Sequence, residues 1–107
     1  MEVTRGHRDD GTIEIRVEGE LDVSTAPLLR EALLGAIGDQ NVWVDLRKCS
    51  FMDSTGLRVI IESARRAADH DTRLGITGLR EQPKQLFEIT SLDRSDLLRF
   101  DVPEPTS

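Results

Sequence analysis

At 107 residues, the chain has room for one domain, and a second is excluded because compact domains centre on about 100–150 residues. Twenty acidic residues against 14 basic ones give a net charge of −6, which opposes binding to the phosphate backbone of nucleic acids. A basic protein partner suits this surface better, although ordinary solubility also selects such a charge. With three Phe, one Trp and no Tyr, the core is expected to be aliphatic.

The cysteine content and the apolar runs predict where the protein resides. Cys49 is the only cysteine, so an intramolecular disulfide is impossible and a reducing compartment, the cytoplasm, is expected. The N-terminus has no signal-peptide pattern, and no stretch approaches the roughly 20 apolar residues that span a bilayer. We therefore expect a soluble protein without a membrane partner.

A β-hairpin is predicted at the start of the chain. Residues 12–18 alternate apolar and polar side chains, which is the period of a strand with one buried face. The turn signal Asp9-Asp10-Gly11 precedes them, so residues 2–8 are predicted to form the other, edge strand. The alternating apolar residues are Ile13, Ile15 and Val17.

The period then changes to that of an amphipathic helix, predicted over residues 25–37. Ser24 or Asp22 can cap it, Pro27 is tolerated in its first turn, and Gly38 can end it. Its apolar stripe consists of Leu29, Ala32, Leu33, Ala36 and Ile37.

Strands and helices alternate through the rest of the chain. Residues 42–46 read as a central strand, because Trp43 gives a second apolar face opposite the first. A helix over 55–69 and a short strand over 74–76 follow. A helix over 83–89 and a last strand over 97–100 complete an α/β layer. Residues 103–107 have nothing to bury and are expected to be disordered, which leaves one domain over 1–102.

The passage from the 42–46 strand through a loop to the next helix is the most informative part of the sequence. Loops at this position carry function in open α/β sheets. Asp53 and Ser54 are both good N-cap residues, and a phosphate on Ser54 would meet the unpartnered N–H groups of the helix start. Capping alone also explains both residues. Gly56, unfavourable inside a helix, indicates close approach by another backbone or surface.

Three segments together resemble the STAS domain of anti-sigma factor antagonists. They are Gly19-Glu20-Leu21-Asp22-Val23-Ser24-Thr25-Ala26, Val44-Asp45-Leu46 and Met52-Asp53-Ser54-Thr55-Gly56-Leu57. The resemblance covers about residues 3–100. It implies a mixed sheet of four or five strands with helices packed on one face.

The resemblance also implies a partner switch. The unmodified protein would bind an anti-sigma factor that is a GHKL-type serine kinase and so free a sigma factor. Phosphorylation of Ser54 would end the binding, and a PP2C-type phosphatase would restore it. The protein would be no enzyme and need no cofactor. The alternative is a STAS scaffold or transporter-associated subunit that docks without phosphorylation.

A set of residues around Ser54 is expected to form the partner-binding surface. Capping preferences favour a helix-cap role for Asp22 and a structural role for Thr55 over contact with a partner. Phe51 and Met52 can serve a partner or lie buried. The predicted partner-binding residues are Asp22, Ser24, Thr25, Asp53, Thr55 and Gly56.

Other reactive residue types form no recognisable site. Cys49 has no neighbouring His, which favours a buried or inert thiol over a nucleophile. His7 and His70 lack the spacing of metal ligands. Asp45 and Asp53 form a conceivable acid/base pair, but no His, Lys or phosphate-binding loop accompanies them.

Overall fold

The computed structural model describes residues 1–92 and 96–101, the side chain of Asp101 excepted, and the predicted tail at 103–107 lies outside this part. Within it, eight elements follow one another along the chain. They are β1 (Glu2–His7), β2 (Ile13–Leu21), α1 (Ala26–Ala36), β3 (Val42–Met52), α2 (Ser54–Asp69), β4 (Leu74–Thr77), α3 (Glu81–Ile89) and β5 (Leu98–Asp101).

The strands form one five-stranded sheet in the order β1-β2-β3-β4-β5. β1 runs antiparallel to β2, and each later pair of neighbours is parallel. All three helices contribute to a single apolar core against one face of this sheet, with Leu29, Ile60 and Phe87 fully buried. The predicted mixed α/β sheet with helices on one face is confirmed.

Alternation along β2 explains how that core forms. Ile13, Ile15 and Val17 are buried on the helical face, while Glu14 and Arg16 lie on the other face. Trp43 also lies on the face away from the helices, where its ring packs against Gly75 and stacks with Arg8, whose guanidinium carbon is 4.5 Å from the ring centroid. The second apolar face predicted for β3 therefore exists, and it accommodates one large side chain.

Two strands are longer than the sequence predicts. β2 continues to Leu21 rather than ending at 18, and β3 continues to Met52 rather than 46. Two register shifts, between the β2 residues Arg16/Glu18 and Gly19/Glu20, each add one residue to β3. Such bulges interrupt strict alternation, so the segment predicted as a loop is a bulged strand.

Helix boundaries also differ by one or two residues. α1 begins at Ala26 after Thr25, whose side chain makes no capping hydrogen bond, and its last residue is Ala36, one before the predicted end at Ile37. The prediction that Ser24 or Asp22 caps α1 is therefore wrong. α2 begins at Ser54 instead of 55, and α3 begins at Glu81 instead of 83.

The remaining predicted strands lie within one residue of their observed bounds. β4 covers Leu74–Thr77, and β5 covers Leu98–Asp101. Among the described residues, no helix has both the length and the apolar composition needed to cross a membrane.

Candidate functional site

The ends of β2 and β3 bring the two predicted functional segments together. Leu21 and Met52, the last residues of these parallel strands, are paired in the sheet. Asp22 and Asp53 come directly after them, and the Asp53 N–H donates to the Leu21 carbonyl at 3.1 Å. The two loops therefore form one surface at the carboxyl edge of the sheet, where open α/β sheets bind their ligands.

Asp53 is the residue that caps α2. Its Oδ1 accepts hydrogen bonds from the Thr55 N–H at 2.9 Å and from the Gly56 N–H at 3.1 Å. Ser54, the first residue of the helix, is exposed, and its hydroxyl forms no hydrogen bond with any described residue. Of the two possible caps in the sequence, only Asp53 caps the helix. Capping therefore does not explain why residue 54 carries a hydroxyl group.

The loop after β2 uses its hydroxyl groups internally. The Ser24 hydroxyl donates to Asp22 Oδ1 at 2.8 Å. The Thr25 hydroxyl accepts from the Asp22 N–H at 2.9 Å and donates to the Glu20 carbonyl at 2.8 Å. The Ser24 hydroxyl bond, followed by the bonds from its N–H and from Thr25, holds the pKa of Asp22 below its ordinary value. This loop is therefore internally ordered and negatively charged.

Gly56 lies where the start of α2 meets the end of β2. A Cβ at this position would lie 2.6 Å from Leu21 Cγ and 3.2 Å from the Leu21 carbonyl oxygen. The close approach predicted from this glycine is confirmed. Because Gly56 is buried, any effect on a partner would act through the position of the helix start.

Gln82 is a residue of this region that the sequence analysis missed. Its Oε1 accepts from the Met52 N–H at 2.8 Å, and its Nε2 donates to the Met52 carbonyl at 3.0 Å. The pairing of β3 with β4 ends at Asp45 and Thr77, so Gln82 takes the place of a neighbouring strand beside Met52. No sequence signal distinguishes this glutamine from an ordinary polar residue in the first turn of a helix.

Two apolar side chains are exposed in the segments that lead to this surface. Val23 in the loop after β2 is 70% exposed, and Phe51 near the end of β3 is 40% exposed. Met52, in contrast, is fully buried. Of the two residues whose burial the sequence left open, Phe51 thus lies at the surface and Met52 in the core, while Thr55 is half-buried.

The other candidate reactive groups are engaged elsewhere. Cys49 is buried, its thiol lies 3.3 Å from the Phe51 carbonyl, and burial raises its pKa. The Asp45 carboxylate, 3% exposed, lies near Arg16 and Arg47, at 3.6 and 3.8 Å. Asp45 is thus bound to cations and Asp53 to backbone N–H groups, an arrangement that does not suit acid/base catalysis.

Comparison with known proteins decides the family. The family described as "Mlab, STAS domain" matches residues 5–99. An anti-sigma-B factor antagonist of Staphylococcus aureus (strain NCTC 8325 / PS 47) is 39% identical over 85 residues, which cover 78% of this chain and 79% of that protein. The chain belongs to the STAS-domain family of anti-sigma factor antagonists.

Solved structures share the fold of this STAS domain. An anti-sigma factor antagonist from Mycobacterium paratuberculosis superposes with a TM-score of 0.76 at 26% identity, over 92% of this chain and 86% of that one. The anti-sigma factor antagonist SpoIIAA in its unphosphorylated form gives a TM-score of 0.74 at 19% identity, over 96% and 90%. Phosphorylated SpoIIAA from Bacillus gives 0.69 at 19% identity, over 96% and 94%.

Proposed function

We propose that this STAS domain is a cytoplasmic anti-sigma factor antagonist whose binding is switched off by phosphorylation of Ser54. The unmodified form binds an anti-sigma factor of the GHKL kinase type, and that kinase supplies the phosphate. A PP2C-type phosphatase removes it. The observation that carries this proposal is the exposed Ser54 hydroxyl, which bonds to no described residue, since Asp53 rather than Ser54 caps α2.

A phosphate on Ser54 would enter a favourable electrostatic position. The first N–H groups of a helix and its macrodipole attract anions, and phosphoserine carries about −1.5 to −2 charges at neutral pH. The adjacent Asp53 carboxylate repels the phosphate but is itself bound to two backbone N–H groups. Phosphorylation therefore adds charge without breaking an observed hydrogen bond, so the fold should persist and the effect should fall on binding.

The surface around Ser54 suits a protein partner. Val23, in the loop after β2, and Phe51, near the end of β3, expose apolar area that a protein partner would cover. A partner covering this surface would remove water from a phosphate on Ser54, whose charge of about −1.5 to −2 exceeds what one neighbouring cation can neutralise. Excess charge buried in an interface costs several kcal/mol, which is enough to end binding.

The predicted partner-binding residues support this surface in different ways. Asp22 offers a carboxylate held by Ser24 and Thr25, which suits a basic group on the partner. Asp53 and Gly56 fix the start of α2 below Ser54. Thr55 offers a half-buried hydroxyl.

The experiment that tests the proposal is a pull-down from the native cell lysate. The baits are the wild type, Ser54→Ala and Ser54→Asp, with mass spectrometry of the bound proteins and of residue 54. Ser91→Asp provides a matched control, because Ser91 is an exposed serine just past the end of α3, whereas the start of α3 borders the site.

We expect the wild type, Ser54→Ala and Ser91→Asp to recover the kinase and Ser54→Asp to lose it. Phosphate mapped to another residue, or to none after incubation with the recovered kinase, would overturn the proposed switch. Equal recovery of the same scaffold or membrane subunits by all four baits would favour a constitutive docking role.

A further inference from the structure

We propose that Arg58 is a positioning residue for the phosphorylated state, with its guanidinium pairing with the phosphate on Ser54. This inference rests on the proposed role of Ser54 and specifies how the modified form is held. The observation behind it is the spacing of the two residues, both exposed, on the first turns of α2.

The geometry of a helix brings the two side chains together. Residues four apart on a helix have Cβ atoms about 5–6 Å apart and lie on one face. Helical side chains also lean toward the N-terminus, so a residue covers the turn that precedes it. Helix geometry thus places Arg58 where its side chain can reach back toward Ser54 in the first turn of α2.

Arg58 is available for this contact. Within the described part of the chain it forms no ion pair. The acidic residue one turn further on, Glu62, instead binds Arg30 of α1 at 3.2 Å. In such pairs the acidic group is favoured on the N-terminal side of its basic partner. A phosphate at position 54 lies on that side of Arg58, whereas Glu62 lies on the C-terminal side.

Asp53 does not compete for the same cation. Its Oδ1 faces the Thr55 and Gly56 N–H groups, and its position five residues before Arg58 lies off the i, i+4 row. A phosphate, in contrast, offers three acceptor oxygens to a planar guanidinium that can form two parallel hydrogen bonds. The pairing orders the phosphate along the exposed face of α2.

The test uses phosphoserine incorporated at position 54 during translation, so that no kinase is needed. The second ionisation of the phosphate is followed by phosphorus NMR in the full chain as wild type, Arg58→Gln, Arg58→Lys and Arg65→Gln. Arg65 is the matched control, since it is exposed on the same helix and has no ion pair with a described residue.

We expect the wild type to have a second dissociation constant about threefold larger than that of Arg58→Gln, which is the size of an exposed ion pair. Arg65→Gln should match the wild type, and Arg58→Lys should fall in between. In about 1 M salt, where the Debye length is about 3 Å, the difference should shrink.

Equal dissociation constants in the wild type and Arg58→Gln, or an equal change in Arg65→Gln, would overturn the pairing. Because the phosphate is introduced without a kinase, this result is separate from the fate of the proposed switch. Failure of the kinase to modify Ser54 would overturn the switch, while the NMR comparison would still report whether Arg58 binds a phosphate there.

Discussion

The side-chain amide of Gln82 pairs with both main-chain groups of Met52, accepting from the N–H at 2.8 Å and donating to the carbonyl at 3.0 Å. A residue at the start of α3 thus completes the hydrogen bonding of the strand that leads into α2. The position of Ser54, two residues after Met52, depends in part on this contact.

Replacing Gln82 should destabilise the domain. Gln82→Met keeps the length of the side chain but leaves two partly buried main-chain groups without partners, each costing about 1–3 kcal/mol. We expect a loss of about 2 kcal/mol in the free energy of unfolding, measured by urea denaturation. Gln85→Met is the control, because Gln85 is exposed on the same helix, and an equal loss there would contradict the assigned role.

Asp53 and Ser54 should differ sharply in their contribution to stability. Asp53→Ala removes an N-cap and should cost about 1 kcal/mol. Ser54→Ala removes a hydroxyl that bonds to no described residue and should change stability by less than about 0.5 kcal/mol. Thermal and urea unfolding of both variants measure the contrast. A comparable loss in Ser54→Ala would show that its hydroxyl has a structural role.

Gly56 should not tolerate a methyl group. Gly56→Ala places a Cβ 2.6 Å from Leu21 Cγ, and overpacking of this kind costs about 1–3 kcal/mol, more than the helix propensity of alanine returns. Gly35→Ala is the matched control in α1, where nothing lies within 4 Å of the added Cβ. We expect the first variant to melt below the wild type and the second at or above it. The same direction of change in both would refute the packing argument.

The Asp22 loop should make stability depend on acid pH. Folding lowers the pKa of Asp22 below its ordinary value of 3.8, chiefly through the Ser24 hydroxyl. The resulting stabilisation is fully present above that value and is lost as the pH falls through the lower pKa of the folded state. Wild type and Ser24→Ala should therefore differ near neutral pH, and the difference should shrink as the pH falls from about 4 through the lower pKa of folded Asp22.

Urea unfolding across that pH range measures the Asp22 effect. Ser50→Ala, at an exposed serine of β3, is the control and should follow the wild type at each pH. A difference between wild type and Ser24→Ala that persisted unchanged at the lowest pH would assign the effect to something other than the Asp22 carboxylate.

The sequence predicted those parts of the fold whose periods are regular. The alternating apolar residues predicted β2, and the apolar stripe predicted α1. The residues from Asp53 to Gly56 predicted the start of α2 to within one residue. Residues 47–52 were predicted as a loop because the bulges disrupt their alternation. The contact between Gln82 and Met52 joins residues 30 positions apart. It depends on tertiary packing, which a local sequence pattern cannot predict.

The sequence could not decide whether Asp53 or Ser54 caps α2. Both residue types are good caps, so the choice depends on the backbone angles. Asp53 has the extended backbone (φ −105°, ψ −176°) that lets its carboxylate turn back onto the helix N–H groups. Ser54 already lies inside the helix. Both residues are possible caps by type, and the backbone conformation makes Asp53 the cap.

The two bulges in β3 also change the spacing of the residues that reach the core. Each adds one residue opposite β2 while the pairing resumes beyond it, so the buried residues Leu46, Cys49 and Met52 follow one another at intervals of three rather than two. Deleting one residue at a bulge would remove that bulge and still allow Met52 to pair with Leu21. This stretch of β3 should therefore tolerate a one-residue deletion that the regular part of the strand, at Val42–Leu46, would not.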